Sequence, residues 1–161
     1  MMELNYALNT MFFLISVAMI MWMAAGFTTL EAGSVRTKNV TEILTKNVAL
    51  FAVASIAFLL SGYEVMYGWN EPETHSMYAD FFFQMVFVAT AMSVVSAAAA
   101  ERQKLWSFLI FSIIFSGLFY PLDCAWLSGA GCPSALGFLD LVGPGIVHIP
   151  VASSSLAAYL L

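Results

Sequence analysis

Apolar positions gather into five long blocks along this chain, at residues 4–30, 47–63, 81–100, 105–122 and 141–161, and none of the blocks contains an Asp, Glu, Lys or Arg. A helix needs about 20 apolar residues to cross a hydrocarbon core of roughly 30 Å. Four blocks meet or approach that length. The second is shorter, and its helix is expected to begin upstream, near Asn39. Lys46 would then sit a turn or two inside that helix, with its ammonium snorkelling back to the headgroups. The fold class expected is all-α and integral to the membrane: five transmembrane helices forming one domain over residues 1–161.

The charges orient the bundle. Arg36, Lys38 and Lys46 fall between blocks one and two, Arg102 and Lys104 between blocks three and four, and these are all five basic residues. Basic loops stay in the cytoplasm, which places the N-terminus outside and the C-terminus inside. Glu3, Glu71, Glu73 and Asp80 then fall on the outer side, and Trp69, Tyr78, Trp126 and Trp106 suit the two interfaces. With 61% apolar and only 9% charged residues, a soluble core is the poorer reading. A net charge of −5 carried mostly by outer loops excludes nucleic acid as a partner. The first block lacks a basic start and runs into Glu31-Ala-Gly, so it is read as a helix rather than a signal peptide. Ser93 with Ala97, and Ser96 with Ala100, place small residues four apart in the third block. That spacing lets helix backbones approach closely and marks an interior helix.

Few residues offer chemistry. His148 is an ionisable group inside the fifth block, costly there and therefore a candidate for function. A neutral imidazole both donates and accepts one hydrogen bond, so it could line a solute route or bond a neighbouring helix. Asp140 precedes it near the expected helix start, close to residues 140 and 141. It could cap free amides there or attract a cation to a pore mouth. Phe83 and Phe87 share a face at a spacing of four, as a water-excluding constriction or as ordinary packing. Pro150 should loosen the last helix about one turn after His148. His75 reads as a solvated loop residue. Cys124 and Cys132 are either a disulfide permitted by an outer compartment or two half-buried side chains. No phosphate loop, nucleophile elbow or zinc spacing occurs, so no catalytic residue, metal or cofactor is expected and the chain is not read as an enzyme. A thiol-redox role for the two cysteines lacks a reactive Cys-x-x-Cys pair.

The segment Ala24-Ala-Gly-Phe-Thr-Thr-Leu-Glu-Ala-Gly-Ser-Val-Arg-Thr-Lys-Asn39 resembles the first-helix signature of ammonium transporters of the Amt/Mep/Rh type. Phe82-Phe-Gln-Met-Val-Phe87 with Ala99-Ala-Glu-Arg102, and Leu139-Asp140 followed by Gly143-Pro-Gly-Ile-Val-His148, resemble that family's third helix and its helix-five motif. The resemblance implies a histidine-lined hydrophobic pore for ammonium or ammonia, and for methylammonium. His148 would be the first of its paired histidines, Phe87 its outer gate with Phe83 one turn away, and Asp140 the acid below the vestibule. It further implies a homotrimer in the lipid bilayer of a bacterial inner membrane. The vestibule tryptophan expected before a Gly-Gly-Gly run falls on Ser128; Trp126 is two positions early and the run reads Gly-Ala-Gly. The glycine pair of the helix-five motif reads Gly143-Pro144. The family is built from two inverted five-helix halves plus a final helix. The chain is therefore expected to match the first half only and to lack the second half of a complete pore. The alternative is a membrane module that binds or senses ammonium without conducting it.

Overall fold

The computed structural model describes residues 2–69, 71–128, 137, 140 and 144–160, and all regular structure among these is helical. Helix α1 covers Met2–Ser34, α2 Thr37–Met66, α3 Met77–Ala98 and α4 Leu105–Leu127. Helix α5 covers Ile149–Leu160 and is entered through a wide π turn, Pro144–His148. The first four are long and apolar enough to cross a membrane; α5 is a shorter apolar helix. The blocks become helices because a segment in lipid has no water to satisfy its amides and must bond them internally. Helix α2 opens in a single 3-10 turn, Thr37–Asn39, as expected for a start near Asn39.

Helix α3 is the centre of the bundle, packed against α1, α2 and α5. Half of its apolar window is buried, against 11% for α1. Ser93, Ser96 and several alanines make this possible, since small side chains let three neighbours close in. The core around it joins Leu50 and Phe58 of α2, Met92 and Val95 of α3, Phe108 and Phe115 of α4, and Val151 of α5.

Two irregular turns fix the contact between α2 and α4. The π turns Phe58–Gly62 and Phe115–Phe119 meet, and the Ser61 hydroxyl donates to the Gly117 carbonyl at 2.9 Å. Gly62 is required there: a Cβ would press on the Phe58 ring and stand 2.9 Å from the Ser116 carbonyl oxygen.

The end of the bundle carrying the basic gaps is tied by buried charge. Lys46 Nζ donates to Glu31 Oε1 at 2.9 Å and to the Ser96 carbonyl at 3.2 Å. Asn47 Nδ2 donates to Glu31 Oε2 at 2.7 Å, and the Ser96 hydroxyl reaches the same carboxylate at 3.0 Å. The side chains of Lys46 and Glu31 are 7% and 1% exposed, and the ammonium lies 5.1 Å from the Phe108 ring centroid. Lys46 therefore does not snorkel to the headgroups. Because α1 continues to Ser34, past the end of its apolar block, it brings Glu31 level with the ammonium.

Glu101 holds the two basic gaps together outside the membrane-spanning segments. It accepts from the Arg36 amide at 2.9 Å, from Asn39 Nδ2 at 2.7 Å and from Arg36 Nε at 3.1 Å. Its φ of 61° is an uncommon conformation for a non-glycine residue. The Arg36 amide first, then the Asn39 amide group and the Arg36 guanidinium, hold its carboxyl below the usual range. At the opposite end the Tyr63 hydroxyl donates to Asp80 Oδ2 at 3.0 Å inside a cage of Phe58, Trp69 and Phe81. Asp80, in the first turn of α3, is thus buried.

Gly62→Ala should destabilise the protein by about 1–3 kcal/mol through overpacking, lowering its thermal midpoint in detergent. Gly26→Ala, where the added Cβ meets nothing within 4 Å, should not lower it; equal midpoints for both variants and wild type would contradict the close crossing. For Glu101, a lowered folded pKa means that its stabilisation is present above the ordinary carboxylate range and is lost as pH falls through the lowered value. The wild type should therefore exceed Glu101→Gln in thermal midpoint at pH 7, and the gap should close on acidification. A gap that is constant with pH would refute the assignment.

Candidate functional site

Phe83 and Phe87 lie one turn apart on α3, and their rings meet with centroids 4.8 Å apart at 70°. Phe13 of α1 packs edge-on against Phe83 at 5.1 Å. The imidazole of His75 in turn lies 4.7 Å from the Phe13 ring. The edge-to-face arrangement of the three phenylalanines suits their ring quadrupoles, while the imidazole lies tilted at 44° on Phe13. His75 is half-buried, with Nδ1 hydrogen-bonded to the Thr74 hydroxyl at 2.9 Å, so it is not the solvated loop residue expected from the sequence. The loop carrying it is pinned to α1: Asn9 Nδ2 donates to the Thr74 carbonyl, and the Ser76 amide to the Thr10 hydroxyl, both at 3.0 Å. Four rings, from His75 through Phe13 and Phe83 to Phe87, therefore run from the α2–α3 loop down the face of α3.

His148 closes the wide turn Pro144–His148. Pro150 has no amide hydrogen to give the preceding turn, so the irregular backbone lies before Pro150 and regular helix resumes at Ile149. This differs from a loosening after His148. Val147 and Val151, four apart, pack into the core, and the imidazole of His148 is exposed, off that face. Helix α5 rests on α3, yet among the described residues His148 joins none of the ring contacts of the aromatic column.

Asp140 is half-buried in non-helical backbone. The first described helical turn after it is Pro144–His148; residues 141–143, including Gly143 of the helix-five motif and the expected helix start at 141, lie outside the described residues. Trp126 is 60% exposed on α4 and faces Ile149 and Pro150 across an open groove of about 890 Å³ between α4 and α5. Ser128 ends the helical run Tyr120–Ser128, but its side chain, the Gly-Ala-Gly run and Cys132 lie outside the described residues. Any pairing of Cys132 does too, while Cys124 is buried in the core. The structure thus brings Phe83 and Phe87 together and leaves His148 and Trp126 as separate, exposed positions on α5 and α4.

Sequence reasoning missed Glu31 and the Tyr63–Asp80 pair. The signal for Glu31 was Lys46 itself: a cation inside a membrane helix calls for an acid at the same depth on a neighbour.

The sequence profile of the Ammonium Transporter Family matches residues 11–161. Ammonium transporter Amt2 of Archaeoglobus fulgidus is 37% identical over 89% of this chain and 36% of its own length. Ammonium transporter 3 of Dictyostelium discoideum is 31% identical over 91% of this chain and 37% of its own. A Synechocystis protein is 34% identical over 97% of this chain and 40% of its own. The chain spans about two-fifths of the length of these relatives. It is an integral membrane protein and belongs to the ammonium transporter family.

Proposed function

We propose that this chain supplies the first half of a transmembrane route for ammonium or ammonia. The observation that carries the reading is the family match over residues 11–161, which takes in both the packed Phe83–Phe87 pair and the broken helix presenting His148. A bare cation in a low-dielectric passage is costly. Aromatic faces can hold it at an entrance, and a neutral imidazole can exchange hydrogen bonds with the neutral species further in. In this reading Phe83 and Phe87 form the outer constriction, and Asp140 and Trp126 belong to the approach, as does Ser128 where the family has a tryptophan. His148 lines the pore, with methylammonium as an alternative cargo. Its exposure on α5 fits a residue that faces a passage rather than the core.

The route is completed by a second helical repeat packed on the same face, and the assembly is a homotrimer in the lipid bilayer of a bacterial inner membrane. The basic gaps at residues 36–46 and 102–104 face the cytoplasm, so the aromatic column opens outside. Broken helices at a repeat interface are where transporters of inverted-repeat design bind their cargo, and the Pro144–His148 turn has that character.

His148→Ala in the native protein should reduce methylammonium uptake by about fivefold or more, the worth of one hydrogen bond of roughly 1 kcal/mol, at unchanged membrane abundance. Uptake equal to wild type would sink the pore assignment.

A further inference from the structure

Among the described residues Phe83 has two ring neighbours: Phe87, one turn on in α3, and Phe13 of α1, edge-on at 5.1 Å and 75°. Phe13 thus fills the space beside Phe83 on the α1 side, and a Phe83 ring changing rotamer cannot enter it. All three rings are half-buried, so each keeps a face outside the core.

Phe13 is itself held from above. The His75 imidazole lies on it with centroids 4.7 Å apart, and the residues on either side of His75 are both bonded to α1. Asn9 Nδ2 donates to the Thr74 carbonyl, and the Ser76 amide donates to the Thr10 hydroxyl. A third bond, from the Tyr6 hydroxyl to Glu71 Oε1 at 3.0 Å, ties down another residue of the same loop. Tyr6, Thr10 and Phe13 recur at four- and three-residue spacing and so share one face of α1. Val17, the next position on that face, is 1% exposed. The loop is therefore fastened to the stripe of α1 that carries Phe13, and the imidazole reaches the ring from there. Histidine suits the place: its ring face meets Phe13 while its edge bonds the Thr74 hydroxyl at 2.9 Å.

We propose that Phe13 and His75 are positioning residues for the Phe83–Phe87 pair, and that together they set the largest ammonium ion that passes it. This rests on the reading of Phe83 and Phe87 as the outer constriction. Each residue acts through the ring beneath it, His75 on Phe13 and Phe13 on Phe83. With Phe13 in place the Phe83 ring is confined between Phe13 and Phe87, and a substituted ammonium has to fit the gap that remains. Removing the Phe13 ring gives Phe83 room to turn aside. Removing the imidazole gives Phe13 room to lift, a smaller and less direct release.

The test is uptake of dimethylammonium relative to methylammonium by the native protein. Phe13→Ala should raise that ratio by about threefold or more and His75→Ala by about twofold, the worth of one ring contact in each case. Phe13→Leu, which retains most of the side-chain volume, should move the ratio the same way even where Phe13→Ala folds poorly. His75→Phe keeps a ring on Phe13 and should restore the wild-type ratio. Phe12→Ala, at an exposed neighbour, should leave it unchanged. Phe83→Ala tests the underlying reading. A raised ratio there, with wild-type ratios in both Phe13 variants, would overturn the proposal and leave the constriction standing; an unmoved ratio in Phe83→Ala would remove both. Two further results would overturn the proposal alone: a lowered thermal midpoint in Phe13→Leu and His75→Ala with no change in ratio, which is packing only, or His75→Phe behaving as His75→Ala.

Discussion

The ion pair between Glu31 and Lys46 is the constraint on which the bundle's geometry rests. Two charges removed from water, and here from any polar solvent, are tolerated only when their remaining bonding capacity is met. Ser96 meets part of it with its carbonyl and its hydroxyl, and Asn47 meets another part. One residue each from α1 and α3, and two from α2, are therefore committed to a single point. Rotating any of these helices by one residue would strand a charge in hydrocarbon, so the cluster sets their rotation. That rotation in turn turns Phe13 of α1 toward Phe83 of α3 further along the same helices.

Backbone irregularity is concentrated where helices must do something other than cross. Three π turns occur among the described residues, in α2, in α4 and at the start of α5. Such turns each release a backbone group from the regular ladder and are common at functional sites. The first two meet each other, with Ser61 bonding the Gly117 carbonyl across the contact. The third leads to His148. Its cause is local, the missing amide of Pro150, and its consequence is positional, because it sets the face on which the imidazole emerges. The same structure thus joins a charge-tied end to an irregular turn that leads to the candidate pore residue.

Much of this was legible in the chain because lipid imposes few solutions. Block length gave the spans, the five basic residues gave an expected orientation, and Ser93 and Ser96 gave the interior helix. What escaped depends on contacts between helices. Lys46, read within its own helix, suggested snorkelling; only the continuation of α1 past its apolar block reveals Glu31 as its partner. His75, in a polar loop, looked solvated until Phe13 from α1 arrived beneath it. Asp80 was placed only by side, and nothing in the pattern pointed to Tyr63 as its partner. Of the candidate site, the Phe83–Phe87 contact followed from helical spacing alone, whereas the orientation of His148 depended on a turn whose position before Pro150 was misread.

The most direct test of this account is a double-mutant cycle on the buried pair, with equilibrium stability measured in bicelles for Glu31→Gln, Lys46→Met and the two together. Each single change should cost about 3–5 kcal/mol, because it leaves its partner charged and unpaired. The double change should cost clearly less than the sum, with a coupling of about 1 kcal/mol or more. Additive losses would mean that the two residues do not act as a pair, and would contradict the claim that this ion pair sets the arrangement of α1, α2 and α3.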